Sequence, residues 1–356
     1  MKTIIFTGGG TAGHVMPNLA LMDRLDKNEW TVHYIGTAEG IEHELLKGRP
    51  EVVYHAIAWG KLRRYFSWKN FTDPFRVVKG YFQSRRIIRT VKPDVLFSKG
   101  GYVSVPVVMA AKGQCPVLCH ESDYSPGLAN KIAARFADTI CTTFADTVSK
   151  VPAGRGIHTG TPIRASLLAG SRERGLAFAG LTGEKPVLLV VGGSTGAKAV
   201  NEAVEAALDV LLKTFDVVHL CGQGKLDDTA PRPGYVRFEY VNEQMADVLA
   251  AADVVVSRAG ANAVFELLAL QKPAVLIPLP LEASRGDQIL NANSFKKQGF
   301  SAVLPEEELT GERLLSEIDA VFENRAQYVE AMEKANQGDA VGTILKMIDD
   351  AAEGRL

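Results

Sequence analysis

The sequence predicts an α/β protein made of two similar domains, each with an open parallel sheet covered by helices on both faces. A short apolar run at residues 3–6 leads into a glycine-rich turn at 8–13 and then into a helical pattern that begins near Leu19. The same order of strand, glycine turn and helix returns at 187–212, about one domain length later. Repetition of this unit at that offset predicts two domains of one architecture.

A second pair of matching segments supports the repeat. Residues 94–118 and 253–276 both begin with Asp and an apolar run, followed by Ser, a basic residue, a small residue and Gly. Each then continues through a helical stretch to Pro and another apolar run. Two landmarks in the same order within each half rarely arise by chance, so both halves are expected to fold as parallel α/β units.

The domain boundary is expected within residues 160–186, where Gly, Pro and charged residues concentrate. We therefore predict an N-terminal domain at 1–162 and a C-terminal domain at 163–339. The final helical stretch, 340–356, has no strand after it and can pack on either domain, including back on the first.

Composition narrows the class of protein. The chain has 356 residues, 40 basic and 41 acidic side chains and a formal net charge of −1, which argues against a globally basic nucleic-acid-binding protein. No Cys-x-x-Cys pair occurs, so the cysteines are expected to be buried reduced thiols. The longest uncharged run, residues 3–22, is interrupted by glycines and Pro17, so it predicts no membrane-spanning helix. We expect a cytoplasmic protein.

Each glycine turn comes directly before a helix, where free backbone N–H groups and the positive helix end favour an anion such as phosphate. The turn at 8–13 also contains the spacing Gly-x-Gly-x-x-Gly of dinucleotide-binding folds. That fingerprint needs an acidic residue about twenty positions later, at the end of the second strand. Asp23 comes too early and Glu39 follows a turn, so a nicotinamide or flavin enzyme is disfavoured.

Residues 8–17, Gly-Gly-Gly-Thr-Ala-Gly-His-Val-Met-Pro, resemble the opening motif of the MurG family of peptidoglycan glycosyltransferases. The resemblance continues in order through residues 100–104, 120–121, 127–131, 160–164, 192–197, 257–261 and 287–292. It implies the GT-B fold, in which two Rossmann-like domains with parallel sheets face a central cleft. It also implies inverting transfer of N-acetylglucosamine from UDP-N-acetylglucosamine to the 4-hydroxyl of a muramyl-pentapeptide on undecaprenyl diphosphate (lipid I), giving lipid II.

The resemblance places His14 opposite the acceptor hydroxyl as the catalytic base. Imidazole titrates close to neutral pH and suits that work. Thr11, Ala12 and Gly13 are implied to contact the donor sugar nucleotide. Ala12 replaces a glycine that is common in the family, and its methyl group limits how closely a ligand can approach.

The second half is implied to bind the donor. Arg164 suits the diphosphate because guanidinium makes planar bidentate contacts with phosphate oxygens, and Ser194 on the second glycine turn is implied to hold the same group. Glu266 is implied to accept the ribose hydroxyls. Further implied donor contacts are Val241, Ala261 and Gln288. No Asp-x-Asp motif occurs, so neither a metal nor a cofactor is expected.

One position departs from the family pattern. Many relatives carry His-Glu-Gln-Asn where this chain has His-Glu-Ser-Asp at 120–123. The Asn of that motif is linked to sugar contact, whereas an ionised Asp123 accepts hydrogen bonds but cannot donate them. Selectivity for N-acetylglucosamine over glucose therefore depends on a substituted position.

A basic and aromatic strip lies between Trp59 and Lys92. It carries ten Lys and Arg, eight aromatic residues and one acid, Asp73, for a net charge of +9, while the rest of the chain sums to −10. Cations mixed with aromatics are typical of proteins on an anionic membrane surface. We expect peripheral docking at the cytoplasmic face of the cell membrane. The alternatives are a single-stranded nucleic-acid site and an ordinary solvated basic helix.

Other functions remain open from the sequence alone. The nearest is a related lipid glycosyltransferase of the kind that makes glucosyl-diacylglycerol. A UDP-sugar epimerase and a non-catalytic nucleotide-binding relative are the others, and His14 argues against the last.

Overall fold

The computed structural model describes residues 1–60, 69–193, 196–226, 231–335 and 338–356, with only the backbone given for 69–72. The chain folds into two compact units. The first joins Met1–Arg164 to Gly338–Leu356, and the second is Ala165–Gln337.

The first unit is built on a parallel sheet with the strand order β3-β2-β1-β4-β5-β6-β7. Its strands are β1 (Lys2–Thr7), β2 (Trp30–Gly36), β3 (Val52–Ala56), β4 (Val95–Ser98), β5 (Val117–Glu121), β6 (Thr139–Thr142) and β7 (Gly156–His158). The helices between them are α1 (Met16–Arg24), α2 (Ile41–Leu46), α3 (Lys69–Val91), α4 (Ser104–Ala111) and α5 (Leu128–Ala133). The central strands are continuous apolar runs because helices cover both faces of the sheet. Ile4, Ile5 and Phe6 of β1 are accordingly fully buried.

The second unit repeats the arrangement, with the parallel strand order β10-β9-β8-β11-β12-β13. Its strands are β8 (Val187–Val191), β9 (Asp216–Leu220), β10 (Tyr235–Phe238), β11 (Val254–Ser257), β12 (Ala274–Leu276) and β13 (Ala302–Val303). Its helices are α6 (Ala165–Leu168), α7 (Arg172–Ala179), α8 (Lys198–Thr214), α9 (Met245–Ala251), α10 (Ala261–Ala269), α11 (Asp287–Lys297), α12 (Gly311–Glu323) and α13 (Arg325–Lys334). On α8, Val200, Val204 and Leu211 recur at helical spacing and are buried in the core of this unit.

The last helix, α14 (Ala340–Ala352), belongs to the first unit. Its apolar face, which includes Ile344 and Ile348, shares a buried cluster with Leu21 of α1 and Trp30 of β2. Lys2 pairs with two acids near the C-terminus, at 3.1 Å from Asp349 and 2.7 Å from Glu353. The core of the first unit therefore contains residues from both ends of the chain.

Both sheets reverse their strand order at one place, between β1 and β4 in the first unit and between β8 and β11 in the second. In open parallel sheets, ligands bind beyond the carboxyl ends of the strands at such a reversal. Each glycine turn predicted from the sequence follows one of these strands. The predicted fold of two Rossmann-like units with parallel sheets is confirmed. Within the described residues, no helix combines the length and apolar character needed to cross a bilayer.

Candidate active site

The glycine turn after β1 approaches its neighbours closely. A side chain at Gly8 would place a Cβ 2.5 Å from the His14 carbonyl oxygen. Gly10 has a φ of +87°, in the left-handed region that favours glycine. Ala12 lies outside that region, at the start of a 3-10 turn that ends at His14. Its methyl group is therefore compatible with the backbone of the turn.

A second turn, after the adjacent strand β4, packs against the first. Gly101 has a φ of +84°, and a Cβ there would overlap the carbonyl oxygen of Gly9. The same Cβ would lie 3.3 Å from Nδ1 of His14. Position 101 therefore requires glycine, because two strand-end turns meet here beside the predicted catalytic histidine.

The predicted base is oriented by a neighbour on its own turn. Nδ1 of His14 lies 2.9 Å from Oγ1 of Thr11, within hydrogen-bond distance. When Nδ1–H donates to Thr11, Nε2 carries the lone pair that a general base needs. His14 is half-buried and Thr11 is exposed, so the structure brings these two predicted residues together at the surface of the first unit. Gly13, between them, is half-buried.

The predicted sugar contact Asp123 lies on the loop after β5. Its backbone N–H donates to Oε1 of Glu121 at 2.9 Å. The other carboxylate oxygen of Glu121 accepts from Asn130 Nδ2 at 2.8 Å and from the Gly127 N–H at 3.2 Å. Burial raises the pKa of Glu121 to about 7, and the charge of Asp123 adds to the rise. Through these three hydrogen bonds, Glu121 fixes the loop that carries Asp123. The side chain of Asp123 is partly exposed.

In the second unit, the predicted donor contacts follow the carboxyl ends of parallel strands. Ala261 is the first residue of α10, after β11, and Glu266 is half-buried on the same helix. Val241 is buried in the loop after β10. Ser194, after β8, lies outside the described residues, and Arg164 is half-buried at the end of the first unit.

Gln288, at the start of α11, joins two of these strand ends. Its side-chain oxygen accepts the backbone N–H of Ala259, after β11, at 3.3 Å and that of Leu279, after β12, at 3.1 Å. Asn291 on the same helix donates to the Ala259 carbonyl at 3.1 Å. Gln288 thereby fixes the turn from which α10 begins.

Comparison with known proteins decides the family. The glycosyltransferase family 28 N-terminal domain matches residues 4–142, and the corresponding C-terminal domain matches residues 187–347. The chain belongs to glycosyltransferase family 28. The similarity that its motifs indicated to MurG is confirmed by relatives of nearly the same length.

Two curated relatives of this family-28 chain carry the name UDP-N-acetylglucosamine--N-acetylmuramyl-(pentapeptide) pyrophosphoryl-undecaprenol N-acetylglucosamine transferase. The protein from Lachnospira eligens is 53% identical, covering 98% of this chain and 99% of its own length. The protein from Geobacillus thermodenitrificans is 52% identical, covering 99% of both. The crystal structure of MurG from Acinetobacter baumannii is 29% identical and superposes with a TM-score of 0.75, covering 98% of this chain and 100% of that one.

Sequence reasoning missed Glu42, which supports the first glycine turn from beneath. This fully buried carboxylate accepts from the Gly10 N–H at 3.2 Å and from the Thr37 N–H and Oγ1 at 3.0 and 2.6 Å. The dinucleotide fingerprint directed attention to Glu39, which is exposed. In this family-28 chain the acid that reaches the turn comes from the first helical turn after β2.

A second missed group is Lys99, between β4 and the two glycines of its turn. Its side chain is only 1% exposed, and Nζ lies 2.7 Å from Nδ1 of His120 and in hydrogen-bond contact with Oγ of Ser122. The run Ser-Lys-Gly-Gly is read most simply as a solvated basic turn, so the sequence carries no signal of this burial. Among the described residues, no cluster of three or more His, Cys, Asp or Glu side chains has the arrangement to hold a metal ion.

Proposed function

We propose that this protein transfers N-acetylglucosamine from UDP-N-acetylglucosamine to the 4-hydroxyl of the muramyl-pentapeptide of lipid I, giving lipid II. One observation carries the proposal: relatives about half identical over nearly the whole chain bear the name of this transferase. The paired turns beside His14 provide the local chemistry that such a transfer needs.

The proposed reaction is a single displacement. His14 accepts the proton of the acceptor hydroxyl, whose oxygen attacks the anomeric carbon of the donor as the bond to UDP breaks. One displacement inverts the anomeric centre without a covalent sugar–enzyme intermediate. Thr11 orients the imidazole, because its hydroxyl lies 2.9 Å from Nδ1. Charge developing on the leaving UDP is stabilised by fixed donors at the strand ends of the second unit.

The donor would be held by residues of the second unit. Glu266 suits the ribose hydroxyls because a carboxylate accepts two hydroxyl donors. Arg164 and Ser194 are proposed for the diphosphate, and Ala261 and Val241 offer backbone groups. Gln288 supports this site by fixing the turn before α10.

The test is UDP release from UDP-N-acetylglucosamine with three acceptor conditions: lipid I, diacylglycerol and no lipid. We expect release that depends on lipid I alone and a product that carries one added N-acetylglucosamine. Release with diacylglycerol would instead identify a glycolipid synthase. Interconversion of the free UDP-sugar without lipid would identify an epimerase.

We further propose that the exposed face of α3 docks the protein on the cytoplasmic face of an anionic membrane. Phe75, Val78 and Phe82 recur at helical spacing and are 79%, 54% and 63% exposed. Exposed basic residues, including Arg86 and Arg89, continue the same face towards its C-terminal end. The opposite face packs into the unit through residues such as Ile88. The N-terminal part of the basic and aromatic strip, residues 61–68, lies outside the described residues.

Binding of this α3 face to an anionic bilayer is favoured by both its charged and its aromatic residues. Each Lys or Arg near an anionic bilayer contributes up to about 1 kcal/mol to binding, and burial of an exposed Phe contributes about 1.5–3 kcal/mol.

The aromatic Trp59 makes a different contact, since its ring centroid lies 4.9 Å from that of Tyr102 in the turn after β4. It therefore joins the strip to the candidate active site.

Vesicle flotation tests the docking proposal. Wild-type protein is expected to float with phosphatidylglycerol vesicles at low salt, and a variant with Phe75→Glu and Phe82→Glu is expected to lose most of that binding. Val210→Glu, at an exposed valine on α8, is the matched control and should bind as wild type. Equal flotation of all three proteins, or equal binding to neutral phosphatidylcholine, would contradict docking through this face.

A further inference from the structure

Lys99 is buried in the first unit in a way that an ordinary turn lysine is not. A lysine ammonium removed from water is costly unless it is hydrogen-bonded and balanced by negative charge. The side chain is 1% exposed and ranks among the largest fully buried side chains. A Cβ at Gly8 would lie 3.3 Å from Cβ of Lys99, and Gly101, two residues further on, packs against Gly9 and His14, so Lys99 adjoins the two turns of the candidate active site.

The hydrogen bonds around Lys99 fix the state of His120. Nε2 of His120 lies 2.9 Å from the carbonyl oxygen of Gly160, which can only accept, so Nε2 carries the proton. Nδ1 therefore accepts from the Lys99 ammonium at 2.7 Å. Burial, with the Lys99 charge adding to it, lowers the pKa of His120 well below its usual value. His120 is accordingly a neutral acceptor and supplies no counter-charge.

The balancing charges come from the segment that Lys99 also holds by a hydrogen bond to Ser122. Burial lowers the pKa of Lys99 to about 7, and the charges of Glu121 and Asp123 oppose that lowering. Cys141 on β6 also faces Lys99, but burial raises the pKa of its thiol to about 12, which leaves it neutral. On the side of β1, Lys99 packs against Gly8, which has no charge.

We propose that Lys99 is a positioning residue whose positive charge holds the 121–123 segment, and thereby Asp123, in the arrangement that binds the substrate sugar. This inference rests on the proposed function and deepens it. An asparagine at position 123 would be neutral and would gain nothing from a nearby cation. The carboxylate of Asp123 is charged and partly exposed, so the Lys99 ammonium favours its position by attraction and holds the same segment through the hydrogen bond to Ser122.

A double-mutant cycle tests the coupling, using Lys99→Met, Asp123→Asn and the two together. Lys99→Met leaves the half-buried Asp123 without its cation, and Asp123→Asn leaves Lys99 with Glu121 as its remaining counter-charge, whereas the double change removes both members of the tested pair. We expect Lys99→Met to raise KM for the sugar substrate that Asp123 binds by about tenfold, with kcat changed less. The KM of the double variant should be at least fivefold lower than the product of the two single effects predicts. Strictly multiplicative effects, or an unchanged KM in Lys99→Met, would overturn the proposal.

Lys112→Met is the matched control. Lys112 lies in the same unit and pairs with Asp138 at 2.6 Å, but both side chains are exposed. Its replacement should leave KM for both substrates within about twofold of wild type. A KM rise equal to that of Lys99→Met would show that loss of any lysine ion pair suffices, and would overturn a specific role for Lys99.

The pH profile gives a second test that needs no substitution at Lys99. Wild-type kcat/KM is expected to fall on the alkaline side as the ammonium loses its proton. Asp123→Asn removes a negative charge that favours this ammonium, so the alkaline limb should move to lower pH by about one unit. The proposal would be overturned if kcat/KM fell at the same pH in wild type and Asp123→Asn, or if it did not fall at alkaline pH at all. Failure of the function itself is distinguishable, because wild type would then release no UDP with lipid I at any pH.

Discussion

The turn after β4 and the turn after β11 share the order Ser, basic residue, small residue, Gly, yet their backbones differ. Gly100 and Gly101 both have positive φ, at +97° and +84°, and Gly101 touches the neighbouring turn. Gly260 has a φ of −65° and open space around its Cβ position, and an alanine precedes it. The first turn is thus built for close packing beside His14, whereas the second is an ordinary helix start.

The basic residues of the two turns differ as well. Lys99 is hydrogen-bonded to neutral groups, and burial lowers its pKa to about 7. Arg258 instead donates to the Ile277 carbonyl at 3.1 Å and pairs with Glu306 at 2.5 Å. A guanidinium stays charged throughout the physiological range. Equivalent positions of a repeated fold therefore carry a titratable cation in the first unit and a permanent one in the second.

The largest effect is expected from His14→Ala, which removes the proposed base from the first turn. The value of kcat should fall about 10²–10⁴-fold, the usual contribution of a general base. Steady-state kinetics at saturating concentrations of both substrates measure it. His158→Ala, at an exposed histidine of the same unit, is the control and should keep kcat within about twofold. Near-wild-type turnover of His14→Ala would remove the catalytic distinction between the two turns.

The matched pair Gly101→Ala and Gly260→Ala tests the difference in backbone directly. Alanine at position 101 would be strained by the left-handed φ and would overlap Gly9. Gly101→Ala should therefore lower the unfolding free energy by about 2–4 kcal/mol and kcat/KM at least tenfold. Gly260→Ala should change the unfolding free energy by less than about 1 kcal/mol. Urea denaturation and kinetics on both variants measure these effects. Similar losses in the two variants would show that the turns are equivalent after all.

Arg258→Met should act on stability rather than on pH dependence. Loss of the guanidinium leaves the half-buried Glu306 without its partner, at a cost of about 2 kcal/mol in unfolding free energy. Because arginine stays charged, the loss should be constant between pH 6 and pH 9. Urea titrations across that range measure it. A loss that varied with pH over the range would contradict the permanent charge assigned to this turn.

The smallest effect is expected from Ala12→Gly, which removes one exposed methyl group from the first turn. Ala12 is exposed and lacks a left-handed φ. Glycine should therefore only increase the conformational entropy of the unfolded chain, which lowers the unfolding free energy by about 0.5–1 kcal/mol. Activity should stay within about twofold. A marked gain in kcat/KM would show instead that the Ala12 methyl group obstructs a substrate.

The fold was predictable because its signals are local. The apolar runs, the glycine turns and the spacing of apolar residues on α8 and α14 identify strands, turns and helix faces without knowledge of distant contacts. The two parallel sheets followed from the repetition of these strand, turn and helix units, whereas the order of the strands was not predicted. His14 was proposed as the base from the sequence alone, since it stands within the motif that indicated the family, and its role stays a prediction.

The supporting groups were not predictable because their roles arise only when distant segments meet. Glu42 is an acid near a helix start in the sequence, and only the fold places its carboxylate under Gly10. Lys99 and Arg258 occupy the same place in a repeated motif, and burial distinguishes them. The repeat likewise matched Gly101 to Gly260 although their φ values have opposite signs. A motif records residue order, whereas these properties depend on what packs around it.

The return of α14 to the first unit has a consequence for synthesis of the chain. The second unit is continuous in sequence, so all of its residues leave the ribosome before α14 does. The first unit cannot close its core over Leu21 and Trp30 until α14, with Ile344 and Ile348, has emerged. The second unit can therefore complete its fold before the first unit does, although synthesis of the first unit begins earlier. Until α14 emerges, the nascent first unit exposes an apolar surface of the kind that chaperones bind.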